Sequence, residues 1–234
     1  MPLPADFTFT QSNLQDYVEC PRRFELRYIR QLQYPAIEAE PILDREKHMQ
    51  QGAAFHHMVH QHHLGVPEDI LNTIAHEEPL RSWWANYLAE GLSGLPDQRH
   101  AEIGLTAPLA EYRLLAKYDL IAINTGQKVV IVDWKTAQHR PKRTRLRARL
   151  QTIVYPYLLA RAGAHLNNGT PIHPDQIEMV YWFADDPKNP ERFAYDATQY
   201  AEAETYLTDL INEIVMREQF DLTTQEWRCK FCSY

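Results

Sequence analysis

The chain has 234 residues, 44% of them hydrophobic and 11% aromatic, with 8 Gly against 15 Pro; this excludes a low-complexity linker and suffices for a core without disulfide staples. A formal net charge of −7 excludes attraction of the whole molecule to nucleic acid, so any polyanion site must be a local patch. No run of 18 apolar residues exists, and "MPLPADFTFT" has neither a basic start nor an apolar stretch, which argues against a membrane span or secretion and for a cytoplasmic location.

One domain over residues 1–234 is expected, mainly helical over 1–100, a sheet core over 101–197, and a closing helix with a cysteine motif over 198–234. In "SNLQDYVECPRRFELRYIRQL", Ser12 and Gln15 have capping-box spacing. Pro21, after Cys20, suits the first position of a second helical stretch, on which Phe24 and Tyr28 share a face. Residues 32–42 read as a loop and "DREKHMQQGAAFHHMVHQHH" as a helix, with a third helix at "LRSWWANYLAE" closed by Gly91. Trp83, Trp84 and Tyr87 on that helix could stack bases, although core packing accounts better for most of them.

From Glu102 the pattern turns to strand: "AEIGLTAPL", "YRLLAKYDLIAIN", a turn at Asn124-Thr125-Gly126, and "KVVIVDWKT". A helix over 143–163, strands at "QIEMVYWFA" and "RFAYD", and an amphipathic helix over 198–219 complete the order. Together they give an α/β or α+β domain around one mixed sheet flanked by helices, with helical additions at both ends.

"IVDWKT" interrupts an apolar strand with charges that are costly to bury. Side chains alternate along a strand, so Asp133 and Lys135 share one face and Trp134 the other. Alone, such a pair could be a simple ion pair. The hairpin turn, however, should bring Asp119 beside Asp133, and adjacent carboxylates repel unless a cation lies between them, as in oxygen-ligand sites for Mg²⁺ or Mn²⁺. Glu102 is either a third acid or a solvated strand end. His56 could add a nitrogen ligand, which suits Mn²⁺, although any single histidine among His56, His57 and His60 is as readily surface or core.

Five short motifs in order carry a resemblance: Gly52-x-x-x-His56, Tyr118-Asp119, Ile131-Val132-Asp133-Trp134-Lys135-Thr136, Gln151-x-x-x-Tyr155, and the opening Ser12-x-Leu14-x-x-Tyr17-x-x-Cys20-Pro21-x-x-Phe24. The chain resembles the PD-(D/E)XK nuclease superfamily, in particular its RecB-like branch, which includes the AddB nuclease domain and CRISPR-associated exonucleases. The resemblance implies a restriction-endonuclease-like core and a metal-dependent DNA nuclease, an exonuclease on ends or single strands, in repair, recombination or defence. The alternative is a subunit that keeps the fold and binds nucleic acid or a helicase- or integrase-type partner without cutting. By resemblance, His56, Asp119 and Asp133 are metal ligands with the Trp134 carbonyl, Lys135 is the catalytic lysine, and Gln151 and Tyr155 contact DNA or a metal-bound water. Glu102 matches an acid that some members place on the first strand. Lys117 departs from the family, which usually has Gly there.

Three cysteines at the two chain ends suit a metal or cluster site better than a secreted disulfide framework. In the RecB-like branch such cysteines often hold a [4Fe–4S] cluster, which here would use Cys20, Cys229 and Cys232 and lack a fourth cysteine; zinc with a histidine, or free thiols without a metal, are the other options. "HRPKRTRLRAR" carries Arg140, Lys142, Arg143, Arg145, Arg147 and Arg149 without an acid. It is a solvated helix face or, since it follows the Asp133 strand and precedes Gln151 on one expected helix, a phosphate contact beside the metal site.

Overall fold

The computed structural model describes residues 3, 4, 6–32, 40–137, 139–232 and 234. A short strand, β1 (Thr8–Thr10), leads directly into α1 (Gln11–Glu19). The helix cap is Thr10, two residues before the expected Ser12: Thr10 Oγ1 accepts from the Asn13 amide at 3.2 Å, and Asn13 Oδ1 accepts from the Thr10 amide at 2.8 Å. Pro21 does open α2 (Pro21–Phe24), which continues as a wider helical turn over Glu25–Ile29. The loop expected over 32–42 falls largely outside the described residues, and α3 (Glu40–His63) begins within its last part. α4 (Glu68–Ile74) and α5 (Leu80–Asn86) follow, the latter extended by a turn over Tyr87–Gly91.

The sheet holds six strands. β2 (Gln98–Leu109), β3 (Tyr112–Asn124) and β4 (Lys128–Lys135) form an antiparallel meander; β5 (Ile177–Phe183) joins β4 in parallel, and β6 (Glu191–Ala194) closes the edge antiparallel to β5. This is the mixed sheet flanked by helices expected of a restriction-endonuclease-like core. One edge of β3 belongs to β2. The other is shared, with β1 parallel to residues 113–115 and β4 antiparallel to residues 120–124, so residues 116–119 lie between two partners.

The expected helix over 143–163 is two helices, α6 (Arg143–Arg147) and α7 (Leu150–Ala162), with Arg149 extended between them. Side chains from elsewhere stabilise the break: Gln15 Oε1 accepts from the Leu150 amide (3.0 Å), and Thr152 Oγ1 donates to the Leu146 carbonyl (2.6 Å). These take up helix-end groups that a continuous helix would pair internally. The closing helix is α8 (Ala197–Met216), capped by Asp196.

Two cores sandwich the sheet. On one face Leu14, Tyr17, Val154, Leu158, Leu207 and Ile211 pack with Ile121, Ile123, Val129 and Ile131. On the other, Phe55, Val59 and Trp83 pack with Leu120, Ala122, Val130, Val132 and Trp134. The tryptophans of α5 are core residues, their indole nitrogens donating to Asp185 (Trp83, 2.7 Å) and Asn72 (Trp84, 2.8 Å). Strand alternation breaks at one place. Tyr118 packs in the first core and Leu120 in the second, and Ile103 and Ala101 on β2 divide in the same way. The β2–β3 ribbon therefore changes phase at Glu102 and Asp119.

Candidate active site

β3 and β4 stop pairing at Leu120 and Val132, and the next facing positions hold Asp119 and Asp133. The hairpin register thus places the two acids opposite each other, as the turn sequence suggests. Instead of a ladder bond, Asp119 Oδ2 accepts from the Trp134 amide at 2.9 Å. Glu102 sits at the β2 position facing Asp119, between the Ala101–Leu120 and Ile103–Tyr118 pairs. Its backbone has left the ladder, with φ at +54°. A left-handed conformation at a non-glycine residue costs roughly 1–3 kcal/mol and persists where surrounding structure enforces it.

α3 approaches this end of the sheet closely. A Cβ on Gly52 would lie 2.7 Å from Thr136 Oγ1, and His48 Nε2 is 2.7 Å from the Thr136 carbonyl oxygen. His48, Gly52 and His56 recur at four-residue spacing on one helical face, and His56 Nδ1 reaches to 3.4 Å from Asp119 Oδ1. Ligand atoms of His56, Glu102 and Asp119 all lie within 4.8 Å of one another, which makes them the three-residue group placed to hold a cation among the described residues. Burial opposes a charged imidazole at His56, but the hydrogen bond and charge of Asp119 outweigh it and raise its pKa.

Asp133 stands apart from that group. It is 4% exposed, one oxygen accepting from Gln151 Nε2 and the other lying 2.6 Å from Lys135 Nζ. That second contact is an ion pair without hydrogen-bond geometry, so Asp133 Oδ2 is a buried oxygen with no hydrogen bond. Burial raises the Asp133 carboxyl pKa; the Lys135 ammonium opposes the shift and the Asp119 charge adds to it. Gln151 joins both partners, since its Oε1 accepts from Lys135 Nζ at 3.2 Å. Lys135 Nζ also lies 5.4 Å from the centroid of the Tyr181 ring.

Tyr155 is placed differently from the expected contact with DNA or water. Only 6% exposed, it donates from Oη to the Lys117 carbonyl (2.8 Å), in the gap between β1 and β4, while Tyr118 Oη donates to the Tyr155 carbonyl (2.9 Å). Tyr118 thus holds the backbone of Tyr155, and Tyr155 holds that of Lys117, the residue before Tyr118. Trp134, expected to offer a carbonyl, contributes its amide to Asp119 and buries its ring on the opposite face.

The basic run divides in two. Arg140 pairs with Asp186 (2.5 Å) and Glu191 (2.8 Å), and Arg143 with Glu191 (2.6 Å), their guanidinium groups lying over Phe183 and Phe193. For these two the structure corrects the expectation of an acid-free patch: the β5–β6 connection and β6 bring acids that are remote in sequence. Among the described residues, Lys142, Arg145, Arg147 and Arg149 form no ion pair.

None of the cysteines forms a disulfide among the described residues, and Cys20 is buried at the α1–α2 junction, Cys229 exposed and Cys232 half-buried. Protein contacts bring the two chain ends together: Arg228 pairs with Glu19 at 3.1 Å, and the Arg22 amide donates to the Asp221 carbonyl at 3.1 Å. Sequence reasoning missed the roles of His48 and Thr136, and the four-residue spacing of His48, Gly52 and His56 was the available signal.

The sequence pattern of the PD-(D/E)XK nuclease superfamily matches residues 8–234. No curated protein matches the chain. Among solved structures, a Eubacterium rectale protein provisionally named an exonuclease is 9% identical, with a TM-score of 0.56, over 95% of this chain and 86% of that one. SSO0001 is 15% identical, with a TM-score of 0.47, over 97% of this chain and 83% of that one. At these identities the first likeness is one of fold.

Proposed function

The chain belongs to the PD-(D/E)XK nuclease superfamily, and from that premise we propose that it is a metal-dependent deoxyribonuclease of the RecB-like branch, an exonuclease acting on DNA ends or single strands in repair, recombination or defence. One observation carries the reading: Asp119 and Asp133 face each other where β3 and β4 part, with Lys135 and Gln151 on Asp133 and His56 and Glu102 beside Asp119. No helix is long and apolar enough to cross a membrane among the described residues.

The donor set fits Mg²⁺ or Mn²⁺. Carboxylate oxygens and one imidazole are ligands both ions accept, the histidine favouring Mn²⁺, and Asp133 Oδ2, paired in charge with Lys135, is a buried carboxylate oxygen without a hydrogen bond. His56, Glu102, Asp119 and Asp133 would hold the ion. When bound, the ion supplies Lewis acidity toward a phosphoryl oxygen and an acidified water. Lys135 holds its ammonium on Asp133 at the edge of the site, where it stabilises charge developing on the phosphate and orients the attacking water by donating to its oxygen. Gln151 orients that pair, its amide fixed by donating to Asp133 and accepting from Lys135. Tyr155 positions β3 through the Lys117 carbonyl. Arg147, with Lys142, is the proposed contact to the DNA backbone.

The same reading makes residues 1–234 one domain and gives Cys20, Cys229 and Cys232 to a [4Fe–4S] centre at the docked ends. A helicase- or integrase-type partner belongs to it as well. The test is cleavage of end-labelled single- and double-stranded DNA with and without Mg²⁺ or Mn²⁺. Metal-dependent degradation from ends supports the reading, and DNA binding without cleavage under every condition would replace it with the non-catalytic subunit.

A further inference from the structure

The roles proposed above leave Lys117 unused. It lies two residues before Asp119 on β3, across the ladder from Gly104, where a Cβ would meet only open space. Its Nζ is in close ionic contact with Glu102 Oε2, and its side chain is 67% exposed against 18% for Glu102. The same Glu102 carboxylate lies within 4.8 Å of the ligand atoms of His56 and Asp119, and its backbone holds a strained conformation with φ at +54°. One carboxylate is thus shared between an exposed ammonium and the cation site.

Simple electrostatics decides how the sharing is resolved. Without metal, Glu102 and Asp119 repel, and Lys117 supplies the nearby positive charge that offsets this. A divalent ion among the ligands interacts with Glu102 with twice the charge of an ammonium, and it repels that ammonium. The Lys117 backbone cannot follow, because its carbonyl is held by Tyr155 Oη at 2.8 Å. Only the side chain can swing away. Its reach keeps the released charge at the mouth of the site, on the exposed side from which a polyanion must approach.

We propose that Lys117 is an exchangeable counter-cation: it neutralises Glu102 in the metal-free site and, once a divalent cation takes Glu102, contacts a phosphate of the nucleic-acid substrate next to the scissile one. The proposal rests on the metal-site reading given above. It makes Lys117 a substrate-positioning residue whose availability is set by metal occupancy, so metal and DNA each strengthen binding of the other by the same factor.

Two titrations test it, using Lys117→Gln and the charge-retaining Lys117→Arg. In calorimetric titration of metal-free protein with Mn²⁺, Lys117→Gln binds about twofold to fivefold tighter than wild type, the range expected for losing a partly exposed competing ion pair, and Lys117→Arg stays close to wild type. In the Lys135→Ala background, which slows cleavage, binding of a single-stranded oligonucleotide is followed against salt. With Mn²⁺ the Lys117→Gln substitution lowers the salt slope by about 0.7, one phosphate contact, and without Mn²⁺ it leaves the slope unchanged. Equal or weaker Mn²⁺ binding by Lys117→Gln, or the same slope loss with and without metal, overturns the exchange alone. A wild-type protein that binds no Mn²⁺ overturns the metal-site reading and the exchange with it.

Discussion

Asp119 and Asp133 occupy facing positions one step beyond Leu120 and Val132, the last paired residues of β3 and β4. Neither acid completes the ladder. Asp119 takes the Trp134 amide on its side chain, and Asp133 turns to Lys135 and Gln151. The β3–β4 ladder opens where these two carboxylates meet.

For Asp133 that arrangement carries a stability cost without metal. Burial, with the Asp119 charge, raises its folded-state pKa above the unfolded value despite Lys135. The folded state therefore binds the proton more tightly, and stability falls as pH rises from the ordinary aspartate range through the raised pKa. Asp133→Asn should melt no lower than wild type at pH 7 in chelator, with the difference shrinking as the pH is lowered toward 4. At Mn²⁺ concentrations near 100 times its dissociation constant, wild type should gain about 2.7 kcal/mol and Asp133→Asn much less. A variant that melts lower in chelator at pH 7 contradicts the cost assigned to this acid.

Lys135 is proposed to act on the reaction and not on metal coordination. Lys135→Ala should retain Mn²⁺ binding by calorimetry while kcat falls by about 10²–10³, the scale of losing one preorganised charge or proton-transfer group. Lost Mn²⁺ binding with an unchanged rate per bound metal would reverse the assignment.

The arginines of the basic run should separate by their partners. Arg147 forms no ion pair among the described residues, so Arg147→Gln should weaken DNA binding evenly across sequences and lower the salt slope by about 0.9 on duplex or about 0.7 on single strands. Arg143 is already neutralised by Glu191 and lies over Phe193. Arg143→Gln should leave the slope unchanged and cost at most about 1 kcal/mol of stability. Equal slope changes for the two variants would return both to one phosphate-binding face.

What could be read from the sequence was set by local rules. The Asn124-Thr125-Gly126 turn and strict alternation fixed the hairpin register, which is why the opposition of Asp119 and Asp133 and the shared face of Asp133 and Lys135 were legible; Gly126 does take a positive φ of 74°. Distant partners determined the rest. β1 exists because residues 8–10 pair with 113–115, the break at Arg149 depends on Gln15, and Arg143 is matched by an acid 48 positions away. The phase change at Glu102 left no pattern in β2 that alternation alone could reveal, so its carboxylate was indistinguishable from a solvated strand end.

The central claim is that the acids at the parting of β3 and β4 form a metal-dependent nuclease site. The most direct measurement is degradation of end-labelled DNA by wild type, Asp119→Asn and Asp133→Asn in Mg²⁺, in Mn²⁺ and in chelator, on preparations matched for folding by melting. The account predicts cleavage by wild type with metal only, and a loss of at least about 10³-fold in each variant, since each removes a proposed ligand. Wild-type rates from either variant with metal, or undiminished cleavage by wild type in chelator, would contradict it.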